Sequence, residues 1–131
     1  MATDHVVLDT DVASALQAGA LAAAERDLIE GKTLATTFVT VAEFYKGAYK
    51  RGWGERRIRE YERWLRRLVV LPYDAGVARE WGRISSDGEA IGRPIAPNDA
   101  WIAACCRRHD VPLMTHNRRH FESISNLTLV P

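Results

Sequence analysis

Five short apolar runs, each parted from the next by a segment of helical period, constrain this chain more than any other feature. They lie at residues 5–8, 33–36, 69–72, 112–115 and 127–130, bounded by polar or turn-forming residues, and read as buried strands. Between the first two, an Ala-rich stretch over 12–29 is interrupted at Gly19 and closed by Gly31, which predicts two short helices. A helix over 39–49 follows, broken by Gly52-Trp53-Gly54. In the next, over 55–68, Ile58, Tyr61, Trp64, Leu65 and Leu68 recur at spacings of three and four. Two more are expected over 74–91, capped by Asp74, and over 98–109. No Asn-Gly or Asp-Gly pair joins two of the apolar runs, so hairpins are not expected. Strands alternating with helices predict an α/β fold: a three-layer α/β/α sandwich around a mostly parallel sheet of about five strands.

With 131 residues, 47% of them hydrophobic and 27% charged, the chain suits a single domain over 1–131 and excludes disordered, collagenous and repeat architectures. Cys105 and Cys106 are its only cysteines, so neither a disulfide framework nor a Cys-x-x-Cys metal knuckle can be written. Consecutive residues on a helix point about 100° apart, so at most one of the two is expected to face the core. The first residues lack a basic patch followed by an apolar stretch, and no apolar run approaches the ~18 residues of a membrane span, so a cytoplasmic protein is expected. The net charge of +1 conceals segregation. Residues 1–45 carry −5, residues 46–67 carry +6, residues 68–106 carry −2 and residues 107–131 carry +2. Such separation suits a protein that holds a cation beside a polyanion, and equally a charge-laced, solvated helix.

In a parallel sheet the functional edge lies at the carboxyl ends of the strands. Asp9 and Asp11 follow the first run, Glu43 lies in the helix after the second, and Asp99 stands in the first turn of its helix. Carboxylates gathered within a few ångströms repel, so such a cluster calls for a cation or shared protons. All-oxygen donors select a hard cation, Mg2+ or Mn2+. Taken singly, Asp99 also reads as an anion at a helix start, Asp11 as a helix cap and Glu43 as a solvated residue. Asp9 is the least ordinary, because it ends an otherwise apolar strand.

In order and spacing, Val6-Val7-Leu8-Asp9-Thr10-Asp11, Val41-Ala42-Glu43-Phe44, Ile95-Ala96-Pro97-Asn98-Asp99-Ala100-Trp101-Ile102 and Met114-Thr115-His116-Asn117-Arg118-Arg119-His120-Phe121 resemble the PIN-domain ribonucleases. The toxins of VapBC toxin–antitoxin pairs are the best match within that group. The resemblance implies a catalytic metal site on Asp9, Glu43 and Asp99, cleavage of single-stranded or looped RNA, a cognate VapB-type antitoxin, and a homodimer. PIN domains commonly offer a further acid near Asn117, and these toxins often have one where His120 stands. This chain has neither, which leaves Asp11 or the Asn117 carbonyl to serve any second cation.

The expected chemistry is hydrolysis of a phosphodiester by a metal-activated water, leaving 5′-phosphate and 3′-hydroxyl ends. Thr10 and Thr115 are candidates to orient carboxylates or waters, and His116, His120, Arg118 and Arg119 to contact RNA. The arginines of 51–67 are further candidates, although Glu55, Glu60 and Glu62 stand at pairing distance along the same helix. Trp64, Trp81 and Trp101 read as core, while Trp53 between two glycines is a candidate for base stacking. Two other readings remain open: a PIN-like domain that binds RNA or protein without cutting, and an aspartate-nucleophile phosphatase suggested by Asp9-Thr10-Asp11.

Overall fold

The computed structural model describes residues 4–131. The start of the chain, read above for a leader sequence, lies in part outside them. Four strands, β1 (His5–Leu8), β2 (Thr33–Thr37), β3 (Val69–Leu71) and β4 (Leu113–Met114), form one sheet in the order β3-β2-β1-β4. Every pairing is parallel. Seven helices connect and cover it: α1 (Thr10–Gln17), α2 (Ala23–Ile29), α3 (Phe38–Lys50), α4 (Glu55–Leu65), α5 (Ala75–Ala90), α6 (Pro97–His109) and α7 (Arg118–Phe121). None of them is long and apolar enough to cross a membrane.

The period of two in β1 divides the core. Val7 belongs to one apolar cluster with Val77 and Ile84 of α5, Ile102 and Ala103 of α6, and Phe121 of α7. Val6 and Leu8 belong to another with Val12 of α1, Ile29 of α2, and Leu65 and Leu68 around the end of α4. Successive side chains of a strand leave by opposite faces. Two clusters on two faces therefore give the expected three layers, with β1 buried between them.

The sheet has four strands rather than five. Residues 127–130 contribute only a parallel bridge from Leu129 to Leu113. It is held by Leu113 N–H to the Thr128 carbonyl and Val130 N–H to the Leu113 carbonyl, both 2.9 Å. The apolar alternation was real, but β4 supplies only two residues to pair with, and Pro131 lacks an N–H to continue a ladder.

The cysteine expectation also fails. Both Cys105 and Cys106 are buried, because α6 is enclosed on nearly every side from Ala100 to Cys106. Burial pushes the Cys105 thiol up to about 12 and the Cys106 thiol well above its ordinary value. Both therefore stay protonated and act as small apolar side chains.

The stripe on α4 is spent on packing. Ile58, Leu65 and Leu68 are buried, and Tyr61 and Trp64 meet Phe44 of α3 edge-on at centroid separations of 4.5 and 6.2 Å. Trp53 joins that aromatic group through Tyr61, with the Arg57 guanidinium 4.1 Å above its ring. One face of Trp53 is thus covered by Arg57. Among the arginines of the same helix, Arg56 and Arg59 lie near Glu60 and Glu55 at 3.6 and 4.0 Å.

Candidate active site

Asp9 ends the central strand and caps the helix that follows it. Its Oδ1 accepts the Thr10 N–H at 2.8 Å, and its own N–H donates to the Met114 carbonyl at 2.9 Å. Its Oδ2 accepts the Thr115 hydroxyl at 2.7 Å, and Thr115 Oγ1 in turn accepts the Asn117 N–H at 3.0 Å. Asp9 is 5% exposed, so these donors stand where water otherwise would.

Glu43 reaches the same edge from α3. Its Oε1 accepts the Thr10 hydroxyl at 2.7 Å. The Thr10 and Thr40 hydroxyl oxygens are 3.0 Å apart. With the Thr10 proton spent on Glu43, Thr40 must donate to Thr10, which orders a chain Thr40→Thr10→Glu43. Sequence reading missed Thr40, although its place three residues before Glu43 sets the two on one helix face.

Asp99 is delivered by the first turn of α6, where Pro97 occupies a position whose N–H has no helical partner. Its Oδ2 lies 3.1 Å from His120 Nδ1. An ionised carboxylate only accepts, so Nδ1 carries the proton there. Burial raises the Asp99 carboxyl above its ordinary range, the Asp9 charge raises it further and Glu43 adds a smaller push, while His120 opposes them. The charges of Asp9 and Glu43 thus act on Asp99.

The remaining candidates divide. Asp11 accepts from Asn117 Nδ2 at 2.8 Å, so both stand at the rim and are tied to one another. His116 Nε2 is 2.5 Å from Glu25 Oε2 on α2, a partner that sequence reading did not anticipate. Arg118 donates from Nη1 to the Val130 carbonyl at 2.6 Å, fastening the end of the chain. Arg119 is exposed and, with His120, borders a cleft beside Asp99.

No three His, Cys, Asp or Glu side chains among the described residues form a ready-made cage for a metal ion. Each carboxylate already spends oxygens on hydroxyls, an amide or an imidazole, as the distances above record. The donor set is nevertheless all-oxygen, anionic and partly accessible. It fits a hard divalent ion bound through one or two carboxylates with water completing the shell.

Comparison with known proteins gives a consistent answer. The PIN domain family model matches residues 6–127. The tRNA(fMet)-specific endonuclease VapC of Shigella flexneri is 35% identical over 101 residues, covering 77% of this chain and 76% of that protein. Ribonuclease VapC1 of Haemophilus influenzae is 33% identical over 100 residues, covering 76% and 75%. Among solved structures, the DNA-bound VapBC of Salmonella typhimurium superposes with a TM-score of 0.82 at 26% identity, over 95% of this chain and 96% of that one.

Proposed function

Since the chain belongs to the PIN-domain family and to its VapC branch, we propose that it is a toxin ribonuclease that hydrolyses single-stranded or looped RNA at Asp9, Glu43 and Asp99. The observation that carries this reading is that Thr10, right after β1, is hydrogen-bonded to both Asp9 and Glu43, while Asp99 at the start of α6 is raised by the charge of Asp9. Mg2+, with Mn2+ as a substitute, is the proposed cofactor. When bound it would lower the pKa of a water and withdraw charge from the phosphate. Two relatives are named tRNA(fMet)-specific endonucleases, and a tRNA offers unpaired loops on a folded frame.

The chain's own groups supply the positioning. Asp9 and Asp99 would hold the ion, and Glu43, fixed by Thr10, would accept a proton from or orient the attacking water. Thr115 locks the rotamer of Asp9, and His120 locks that of Asp99. Structural neighbours are VapBC complexes, which supports a VapB-type antitoxin as the partner. A cytoplasmic homodimer inhibited by that antitoxin completes the proposal. The phosphatase alternative has no support in the family assignment.

The direct test is cleavage of total RNA with Mg2+, with Mn2+ and with EDTA, for the wild type and Asp99→Asn. Cleavage should require a divalent ion and fall below detection in the variant; undiminished cleavage in Asp99→Asn would remove that residue from the site. Thr115→Val tests positioning. It keeps the side-chain volume but withdraws the hydroxyl from Asp9, and a loss of about 10–100-fold in kcat is expected, the scale seen when a ligand loses its supporting hydrogen bond.

A further inference from the structure

Beside Asp99 the surface opens into a cleft of about 390 Å³ bordered by Arg93, Ile95, Arg119, His120 and Ser123. Its first wall is the loop after α5, and the placement of that loop depends on two glycines. Gly92 has φ of 72°, a left-handed conformation that ends α5 and lets Arg93 N–H return to the Gly88 carbonyl at 2.8 Å. A Cβ on Gly88 would come within 2.9 Å of the Arg93 carbonyl oxygen and 3.3 Å of Ile95 Cγ1, so only glycine lets the loop lie this close to the helix. The second wall is α7, anchored by the buried Phe121.

Both Arg93 and Arg119 are exposed, and neither guanidinium has a hydrogen-bond or ion-pair partner among the described residues. His120 spends Nδ1 on Asp99. The neighbouring Asp11 and Glu25 are already paired, with Asn117 and His116. A polyanion reaching Asp99 therefore meets two unpaired guanidinium groups in this cleft.

We propose that this cleft seats an RNA phosphate next to the scissile one, bound by Arg93 and Arg119, so that the backbone leaves the carboxylates between the 92–96 loop and α7. The inference rests on the ribonuclease reading above and adds the direction of the strand. Guanidinium groups suit phosphate because they offer paired N–H donors in a fork. RNA is favoured over an acidic protein segment because the cleft shares Asp99 with the carboxylate cluster, so a chain seated in one reaches the other.

The test uses the full chain and a short single-stranded RNA of mixed sequence, titrated in EDTA over a series of salt concentrations. Arg93→Ala and Arg119→Ala are compared with Arg83→Ala, which removes a 62%-exposed side chain that lies near Glu80 within α5. Each cleft variant should weaken binding about tenfold and flatten the slope of log affinity against log salt by about 0.7, the share of one phosphate on a single strand. Arg83→Ala should change neither, and Arg93→Lys and Arg119→Lys should recover most of the affinity. With Mg2+ present, the alanine variants should raise KM with kcat little changed. If the wild type cleaves RNA but both alanine variants keep its affinity and slope, the cleft assignment falls and the ribonuclease reading stands. If they lose affinity for a polyglutamate peptide while RNA binding persists, the cleft belongs to a protein segment and the proposal is overturned. A wild type that cleaves no RNA with Mg2+ or Mn2+ removes both readings together.

Discussion

Asp9→Asn is expected to reduce RNA cleavage by a factor of at least about 10²–10³, the scale on which preorganised electrostatic groups act, while leaving the protein folded. Asparagine keeps an oxygen to accept the Thr10 N–H and so preserves the cap of α1. Its amide nitrogen then faces Thr115 Oγ1 and can donate to it, in place of the present bond to Oδ2. Alanine is the poorer choice, since losing the cap alone costs about 1 kcal/mol and strands the Thr115 hydroxyl in a buried place. Calorimetric titration with Mn2+ should show the binding heat of the wild type lost in the variant. A variant that folds, binds Mn2+ and cleaves like the wild type would remove Asp9 from the chemistry.

The same substitution has a signature in pH. The folded protein holds the Asp99 proton more firmly than the unfolded chain does, because burial and Asp9 raise that carboxyl above 3.8. With chelator present, wild-type stability should therefore fall as pH rises from about the ordinary Asp value through the raised one. In Asp9→Asn the part of that fall due to Asp9 disappears, while the part due to burial remains. Urea midpoints measured across the acid range read the difference directly.

Phe121→Ala should cost about 3–5 kcal/mol, a large share of the 5–15 kcal/mol that holds a typical domain together. Phe121 is the largest fully buried side chain and the only buried residue of α7. A helix of four residues has little stability of its own, so this ring is what holds Arg119 and His120 against the site. Urea denaturation should show the loss in full, and cleavage should decline beyond what the unfolded fraction explains. Phe121→Leu, which keeps most of the volume, should cost less than about 1.5 kcal/mol.

What the sequence could disclose follows from the range of each interaction. β1 and Asp9 were legible because an apolar run that stops at an acid is a local pattern, and β1 matches its predicted bounds. The places of Asp9, Glu43 and Asp99 in the fold were legible once strands and helices alternated, since each follows a strand or opens a helix. The relay from Thr40 through Thr10 to Glu43 was not, because it joins residues 30 and 33 apart through side-chain rotamers that no spacing encodes. Nor was α7, four residues long with one apolar anchor. The fifth strand failed for a related reason: alternation records a face, whereas pairing depends on the length of the neighbour. Cys105 and Cys106 show that periodicity cannot tell a helix enclosed on all sides from one with a single buried face.

The placement of Asp9 directly after a strand flanked by β2 and β4 also bears on how activity is lost. Val7 N–H is bonded to the Pro112 carbonyl and Asp9 N–H to the Met114 carbonyl, beneath helices on both faces. Such amides are expected to exchange with solvent deuterium only on global opening, and those of the four-residue α7 earlier, by local fraying. Mild denaturant should therefore loosen the substrate cleft first and leave the carboxylates in register, so that affinity for RNA decays before the turnover of whatever RNA is still bound.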